Sequence, residues 1–158
     1  MSNETLKEKL EEFINLFESE TEEIKGQVNY NSTLNIGNQL LKFHHNRETE
    51  KYKTLIVEYI DELKTTDLPT GTKTQLELYS KYISKTGRYL IYERDFSHKG
   101  TNTLTYITFG IVLDILVYYF FKSKLPFYLP ILTLIFIFIG NSRTKKVIAN
   151  KKVFGRGY

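Results

Sequence analysis

Residues 103–121 read TLTYITFGIVLDILVYYFF, and residues 125–140 read LPFYLPILTLIFIFIG. The first segment contains one charged side chain and the second contains none. At a rise of ~1.5 Å per residue, helices of these lengths reach roughly 28 Å and 24 Å, against a bilayer hydrocarbon core of about 30 Å. The first segment is therefore long enough to span a membrane and the second is marginal. We expect them to form a two-helix transmembrane hairpin within residues 101–142, because the polar remainder of the chain cannot readily surround two helices that are apolar on all sides.

The composition changes at the start of this apolar block. Residues 103–140 contain 26 hydrophobic residues out of 38, whereas residues 1–102 contain 33 out of 102. Residues 1–102 carry 14 basic and 17 acidic side chains, a net charge of −3, and residues 103–158 carry 8 basic and 1 acidic, a net charge of +7. The overall charge of +4 is thus the difference between two unlike regions. This distribution argues against a single soluble globule, a disordered chain and a general nucleic-acid binder.

The positive charges predict the orientation of the hairpin. Two lysines, Lys122 and Lys124, lie between the apolar segments, and six basic residues follow the second one. Because basic residues near a membrane end stay in the cytoplasm, we expect a multi-pass integral membrane protein with both termini cytoplasmic. We also expect the basic tail, residues 143–158, to attract anionic lipid head groups at ~1 kcal/mol per basic residue. The six residues are Arg143, Lys145, Lys146, Lys151, Lys152 and Arg156.

Apolar residues alternate with the charges of this tail. Val147, Ile148, Val153 and Phe154 predict a short amphipathic helix lying at the membrane surface. No nucleic-acid partner is expected. The basic charge of the tail would attract any polyanion, so it does not by itself indicate binding to DNA or RNA.

Asp114 is the most costly residue of the apolar block. An aspartate near the middle of a spanning helix costs about 2.5–3.5 kcal/mol on insertion scales. It belongs to a ridge with a four-residue repeat, on which the small Gly110 would let another helix approach closely. Thr133 is a candidate hydrogen-bond partner. Three interpretations stay open: a lock between the two helices, a polar clamp that selects an oligomer, and a proton or cation site. The ridge comprises Tyr106, Gly110, Asp114 and Tyr118.

The region before the apolar block, residues 1–100, is predicted to be a cytoplasmic helical domain. Apolar residues at helical spacing indicate helices over residues 3–25, over about 34–63 with a break near 45–46, and from about 72 onward. Residues 27–33 are predicted to form a turn, and residues 88–96 are compatible with either a helix or a strand. The expected fold class is all-α, with an amphipathic bundle or coiled-coil-like domain before the hairpin and the basic tail.

No motif for catalysis is found. The chain has no cysteine, and residues 70–74, TGTKT, lack the first glycine of a phosphate-binding loop. His44 and His45 are adjacent and have no metal-binding pattern around them. We therefore expect no enzymatic activity, no catalytic residue, no cofactor and no metal.

Two functions fit these features. The first is a membrane-anchored interaction module, such as an adaptor, a complex subunit or an inhibitor of the immunity type, that acts through its cytoplasmic domain. The alternative is an oligomerising membrane effector that forms a pore or disturbs the bilayer through its hairpin. The expected partners are a bilayer with anionic head groups and either another protein or further copies of the chain.

Overall fold

The computed structural model describes residues 3–43, 46–69, 71–99, 101–121 and 130–158. The described chain is mostly helical, which confirms the all-α prediction. It divides into two compact units. The first, here called the helical domain, combines Met1–Phe96 with Lys152–Tyr158, and the second, here called the helix pair, covers Ser97–Lys151.

The helical domain begins with α1, Asn3–Phe17, and α2, Glu22–Gln27. The prediction of one helix over residues 3–25 is wrong, because Thr21 starts a second helix. Its extended backbone and its side-chain oxygen, which accepts a hydrogen bond from the Ile24 amide at 3.3 Å, form an N-cap. Four buried side chains of α1 follow helical spacing: Leu6, Leu10, Phe13 and Phe17.

The next two helices are α3, Tyr30–Leu40, and α4, Arg47–Lys64. The turn predicted over residues 27–33 is wrong from Tyr30 onward, since α3 starts there after Asn29, whose φ is 50°. The predicted break before α4 is confirmed. Asn46 caps α4 by accepting a hydrogen bond from the Thr49 amide at 2.7 Å. His44 and His45 lie outside the described residues.

The last helices of the domain follow one another directly. They are α5, Thr72–Leu78, a π-helical turn, Tyr79–Ile83, and α6, Ser84–Arg94. The ambiguous residues 88–94 are therefore helical. Two-residue strand segments, β1 at Ser97–His98 and β2 at Val153–Phe154, lie outside the helices.

The core of the helical domain is closed and continuous. Buried apolar side chains from α1, α3, α4, the π-helical turn and α6 meet in it, together with Phe154 from the end of the chain. The core is shared among several helices and does not follow a two-helix seam, so the coiled-coil alternative is not what forms. Its largest fully buried side chain is Tyr59, whose hydroxyl donates to the Val28 carbonyl at 2.7 Å.

The helix pair consists of α7, Thr101–Phe121, and α8, Ile131–Ala149, which pack antiparallel. The prediction for α7 differs from the structure by two residues at its start. The prediction for the second segment, residues 125–140, is less accurate. Residues 125–129 lie outside the described ranges, and α8 begins at Ile131 after Pro130 and continues to Ala149. The expected boundary between hairpin and tail, at residue 142, therefore falls inside a helix.

Candidate functional site

The centre of the helix pair is a hydrogen-bonded contact between Asp114 and the first turn of α8. The Asp114 carboxylate accepts hydrogen bonds from the Leu132 amide at 3.2 Å, from the Thr133 amide at 2.8 Å and from the Thr133 hydroxyl at 2.6 Å. The predicted partner Thr133 is thus in place. Pro130 precedes α8 and gives no side-chain cap, so Asp114 acts as the N-cap of α8 from a different helix.

Two glycines let the helices of the pair come close together. A Cβ added to Gly110 of α7 would lie 2.7 Å from the Thr133 Cα atom, and one added to Gly140 of α8 would lie 3.0 Å from the Tyr106 Cβ atom. The distance at Gly110 leaves no room for a side chain, and the distance at Gly140 is shorter than an ordinary van der Waals contact. Close backbone approach at small residues is typical of helix packing in membranes.

The far end of the pair from Asp114 is polar. The Thr103 and Thr144 hydroxyl oxygens lie 2.9 Å apart, and Arg143 donates to the Tyr106 hydroxyl at 2.9 Å. Thr103 is eleven residues before Asp114, or about 16 Å along α7. The contact surface between α7 and α8, here called the seam, therefore has a polar end at Thr103 and Thr144. Its single buried carboxylate, that of Asp114, lies about 16 Å away along α7.

The outer surface of the pair has the opposite character. Large apolar side chains cover it, and more than half of the surface of many is exposed, including Leu104, Phe109, Ile115, Ile131, Leu134 and Phe138. In the described part of the chain, α7 is the one helix long and apolar enough to cross a membrane, by length and composition, and 11% of its most apolar window is buried. That low burial distinguishes α7 from the core helix of a soluble protein.

The predicted ridge packs mainly inside the pair. Gly110 and Asp114 are buried against α8, and Tyr106 stacks on Phe136 with ring centroids 6.2 Å apart. Tyr118 differs, since it is 51% exposed. The close approach expected at Gly110 is thus filled by α8.

The six predicted basic residues do not form one tail. Arg143, Lys145 and Lys146 are exposed on α8, and Lys151 lies in the turn after it. Lys152 and Arg156 belong to the helical domain. The surface helix predicted around Val153 and Phe154 is wrong, since both residues are buried in that domain.

Residues 153–158, here called the docked segment, are held by one edge of α3 and its cap. The Asn35 side-chain Nδ2 donates to the Val153 carbonyl at 2.9 Å, and the Asn29 side-chain oxygen accepts from the Gly157 backbone amide at 2.9 Å. Between them, the Ser32 hydroxyl accepts from the Gly155 amide and donates to the Gly155 carbonyl, both at 2.9 Å. These three side chains are buried and recognise main-chain groups. Their role was not predicted from the sequence, although polar residues at positions 29, 32 and 35 share one helix edge.

Phe154 anchors the docked segment. Its ring lies against Gly87 of α6, where an added Cβ would collide with it, and 1% of the residue is exposed. Glycine inside a helix costs about 1 kcal/mol relative to alanine. The space that Gly87 leaves for the ring offsets this cost.

A separate polar cluster ties the π-helical turn to α4. Lys81 donates to a Glu62 carboxylate oxygen at 2.8 Å, and the Tyr82 hydroxyl donates to the same oxygen. The hydrogen bond from Lys81 is the main cause that lowers the pKa of Glu62, and burial raises the pKa of Tyr82. Each group is engaged with the other two, so the cluster has a structural role.

Within the described ranges, no group of three or more His, Asp or Glu side chains is placed to hold a metal ion. The predicted site residues that the structure brings together are therefore those of the α7–α8 seam. Compared with protein families, curated proteins and solved structures, the chain matches none of them.

Proposed function

We propose that this chain is a small integral membrane protein that presents its helical domain as an interaction module at the cytoplasmic surface. Such a module would serve as an adaptor, a complex subunit or an inhibitor. The main support for the proposal is the burial pattern of the helix pair. Glycines and a carboxylate are buried between the two helices, whereas large apolar side chains cover the outer face. Lipid is the solvent in which such a surface is stable.

In this proposal, α7 and α8 form a two-pass hairpin with both termini in the cytoplasm. The apolar part of α8, residues 131–140, is about 15 Å long, half of the hydrocarbon thickness, so α8 does not qualify as a span by itself. What supports its insertion is its packing on α7 and the capping of its first turn by Asp114. Arg143, Lys145 and Lys146 would then lie at the anionic head groups.

The surface of the helical domain supports a role in binding. Its core is closed without any contribution from α7 or α8. Tyr92 is 87% exposed on α6, beside the partly exposed Ile91, and exposed aromatic side chains are frequent anchors in protein interfaces. Glu4, Glu8 and Glu11 are exposed on α1 and would add charge complementarity toward a basic partner.

Membrane insertion and orientation are tested by cysteine accessibility, for which the natural chain provides a cysteine-free background. Ser123→Cys should be labelled from outside the cell by a membrane-impermeant maleimide, whereas Ser19→Cys, in the exposed loop after α1, should be labelled only after lysis. Extraction of the chain by alkaline carbonate would contradict membrane insertion. Labelling of Ser123→Cys from the cytoplasm alone would contradict the proposed orientation.

The interaction role is tested by photo-crosslinking in native membranes. A benzoylphenylalanine at position 92 should give one discrete adduct, while the same group at the exposed position 51 on α4 serves as the matched control. An adduct of twice the mass of the chain would identify a second copy as the partner. Equal, diffuse labelling at both positions would contradict a binding surface at Tyr92.

A further inference from the structure

We propose that the groove that holds the docked segment is an exchange site, in which residues 153–158 of a second copy of this chain take the place of the chain's own. This inference rests on the proposed function and names the partner as a second copy. The observation behind it is the recognition of residues 153–158 by polar side chains of α3 and its cap, and by the space that Gly87 leaves on α6.

The groove requires an occupant. Asn29, Ser32 and Asn35 are almost fully buried, and they direct their donors and acceptors at the main chain of the docked segment. The Ser32 amide also donates to the Tyr158 carbonyl at 3.0 Å. Without the segment, the apolar pocket that holds the Phe154 ring would be exposed to water, which is unfavourable, and the three side chains would exchange these hydrogen bonds for bonds to water.

The occupant need not come from the same chain. All of these hydrogen bonds are made to residues 153–158. The ring that fills the pocket at Gly87 is also part of this segment, since it belongs to Phe154. The connection to α8 consists of the short turn at Asn150–Lys152. A second copy supplies an identical segment, so its tail would make the same contacts.

The connecting turn favours exchange. Lys151 adopts the left-handed conformation, with φ of 54°, which is unfavourable for a residue with a side chain. Short strained connections promote the swapping of a terminal element between identical chains, because the open form relieves the strain. In the proposed membrane, all copies would also share one plane and one orientation, which raises the effective concentration of foreign tails.

The test uses the full chain in native membranes. Gly26 and Arg156 line the same cavity of about 320 Å³ in the helical domain, so cysteines at these positions can be joined by a short bismaleimide. A chain with Gly26→Cys and a differently tagged chain with Arg156→Cys are co-expressed and then crosslinked. A single chain carrying both cysteines gives the reference for docking within one chain.

Exchange predicts a crosslinked heterodimer at least about tenfold above the collisional background, which is measured with Lys51→Cys in place of Gly26→Cys. Adding Gly87→Leu to the Gly26→Cys copy should abolish the heterodimer, because the new side chain blocks the Phe154 pocket. Gly71→Leu is the matched control, since nothing lies within 4 Å of a Cβ at that position. Should Gly87→Leu prevent folding, Phe154→Ala in the Arg156→Cys copy removes the anchor from the other side.

A heterodimer no more abundant than the background, in membranes where the double-cysteine chain crosslinks internally, would overturn the proposal. It would show that each tail stays in its own domain. The accessibility and photo-crosslinking results would stand independently, since neither membrane insertion nor a partner at Tyr92 depends on exchange.

Discussion

The helical domain and the helix pair are both built from helices, yet they bury opposite kinds of side chain. In the domain, apolar residues such as Phe13 and Ile60 are fully buried, whereas carboxylates such as those of Glu58 and Asp61 are exposed. In α7 and α8, the buried residues are Gly110, Asp114 and Gly140. This contrast indicates that the solvent around a helix determines which of its residues are buried. Water favours an apolar interior, whereas the proposed lipid favours close backbone packing around a few polar contacts.

The largest effect should come from shortening an aromatic side chain in the domain core. Phe13 is fully buried and packs on Phe17 and Tyr30, with ring centroids 5.1 and 5.5 Å away. We expect Phe13→Ala to lower the free energy of unfolding by about 3–5 kcal/mol, through lost burial and a residual cavity. Denaturant unfolding in mild detergent measures the change.

Phe138→Ala is the matched change on the helix pair, where the ring is 75% exposed. It should alter stability by no more than about 0.5 kcal/mol. An equal loss for both variants would mean that Phe138 is covered by protein, and the contrast between the two regions would fail.

The second effect concerns the buried carboxylate. Asp114→Leu removes the cap of α8 and leaves the Leu132 and Thr133 amides without their acceptor, at a cost of about 1–3 kcal/mol. Because the Thr103 and Thr144 hydroxyls are 2.9 Å apart, a disulfide between cysteines at those positions reports the pairing of the helices. We expect its yield to fall in Asp114→Leu.

Asp114→Asn keeps one oxygen acceptor and should retain most of the disulfide. If Asp114→Leu left this yield unchanged but reduced the size of the detergent-solubilised particle, the carboxylate would act between copies of the chain. The oligomer clamp would then replace the cap as the explanation.

The third effect tests the docked segment. Gly87→Ala forces the Phe154 ring to move, and the strain of overpacking exceeds the gain in helix propensity, which leaves a net loss of about 1–2 kcal/mol. Gly71→Ala, in open space, is the control and should be within about 0.5 kcal/mol of the natural chain. Thermal unfolding followed by near-ultraviolet circular dichroism separates the two, and equal midpoints would contradict tight packing of Phe154.

The sequence predicts local features of this chain better than distant ones. The span of α7 follows from an apolar run bounded by polar residues, and the contact between Asp114 and Thr133 follows from the cost of a charge among apolar side chains. The second apolar segment was predicted to start at residue 125, whereas α8 begins at Ile131, directly after Pro130. The continuation of α8 to Ala149 was not predicted either, because backbone hydrogen bonding does not require an apolar side chain.

The docked segment could not be found from periodicity. Asn35 and Val153 are 118 positions apart, and the side chains that hold the segment are polar residues that a helical pattern assigns to the solvent. Val153 and Phe154 stand among basic residues, where an apolar pair resembles a membrane-surface helix. Only the fold shows that Gly87 leaves room for the ring.

The smallest effect compares two carboxylates that each accept a hydroxyl hydrogen bond in different surroundings. Glu62 accepts from Tyr82 at the surface of the domain, as Asp114 accepts from Thr133 in the seam.

The hydrogen bond from Lys81 lowers the pKa of Glu62 below its usual value of about 4.3. Its contribution to stability is therefore present above about pH 4.3 and is lost as the pH falls through the folded-state pKa. Because solvent screens this carboxylate, Glu62→Gln should cost less than about 1 kcal/mol at neutral pH, and this cost should shrink as the pH falls through the folded-state pKa, measured by unfolding at pH values from 7 downward. Glu58→Gln, on the exposed side of α4, is the control. A loss at Glu62 as large as that of Asp114→Leu, or one that does not shrink on acidification, would show that a carboxylate has the same effect at the surface and in the seam.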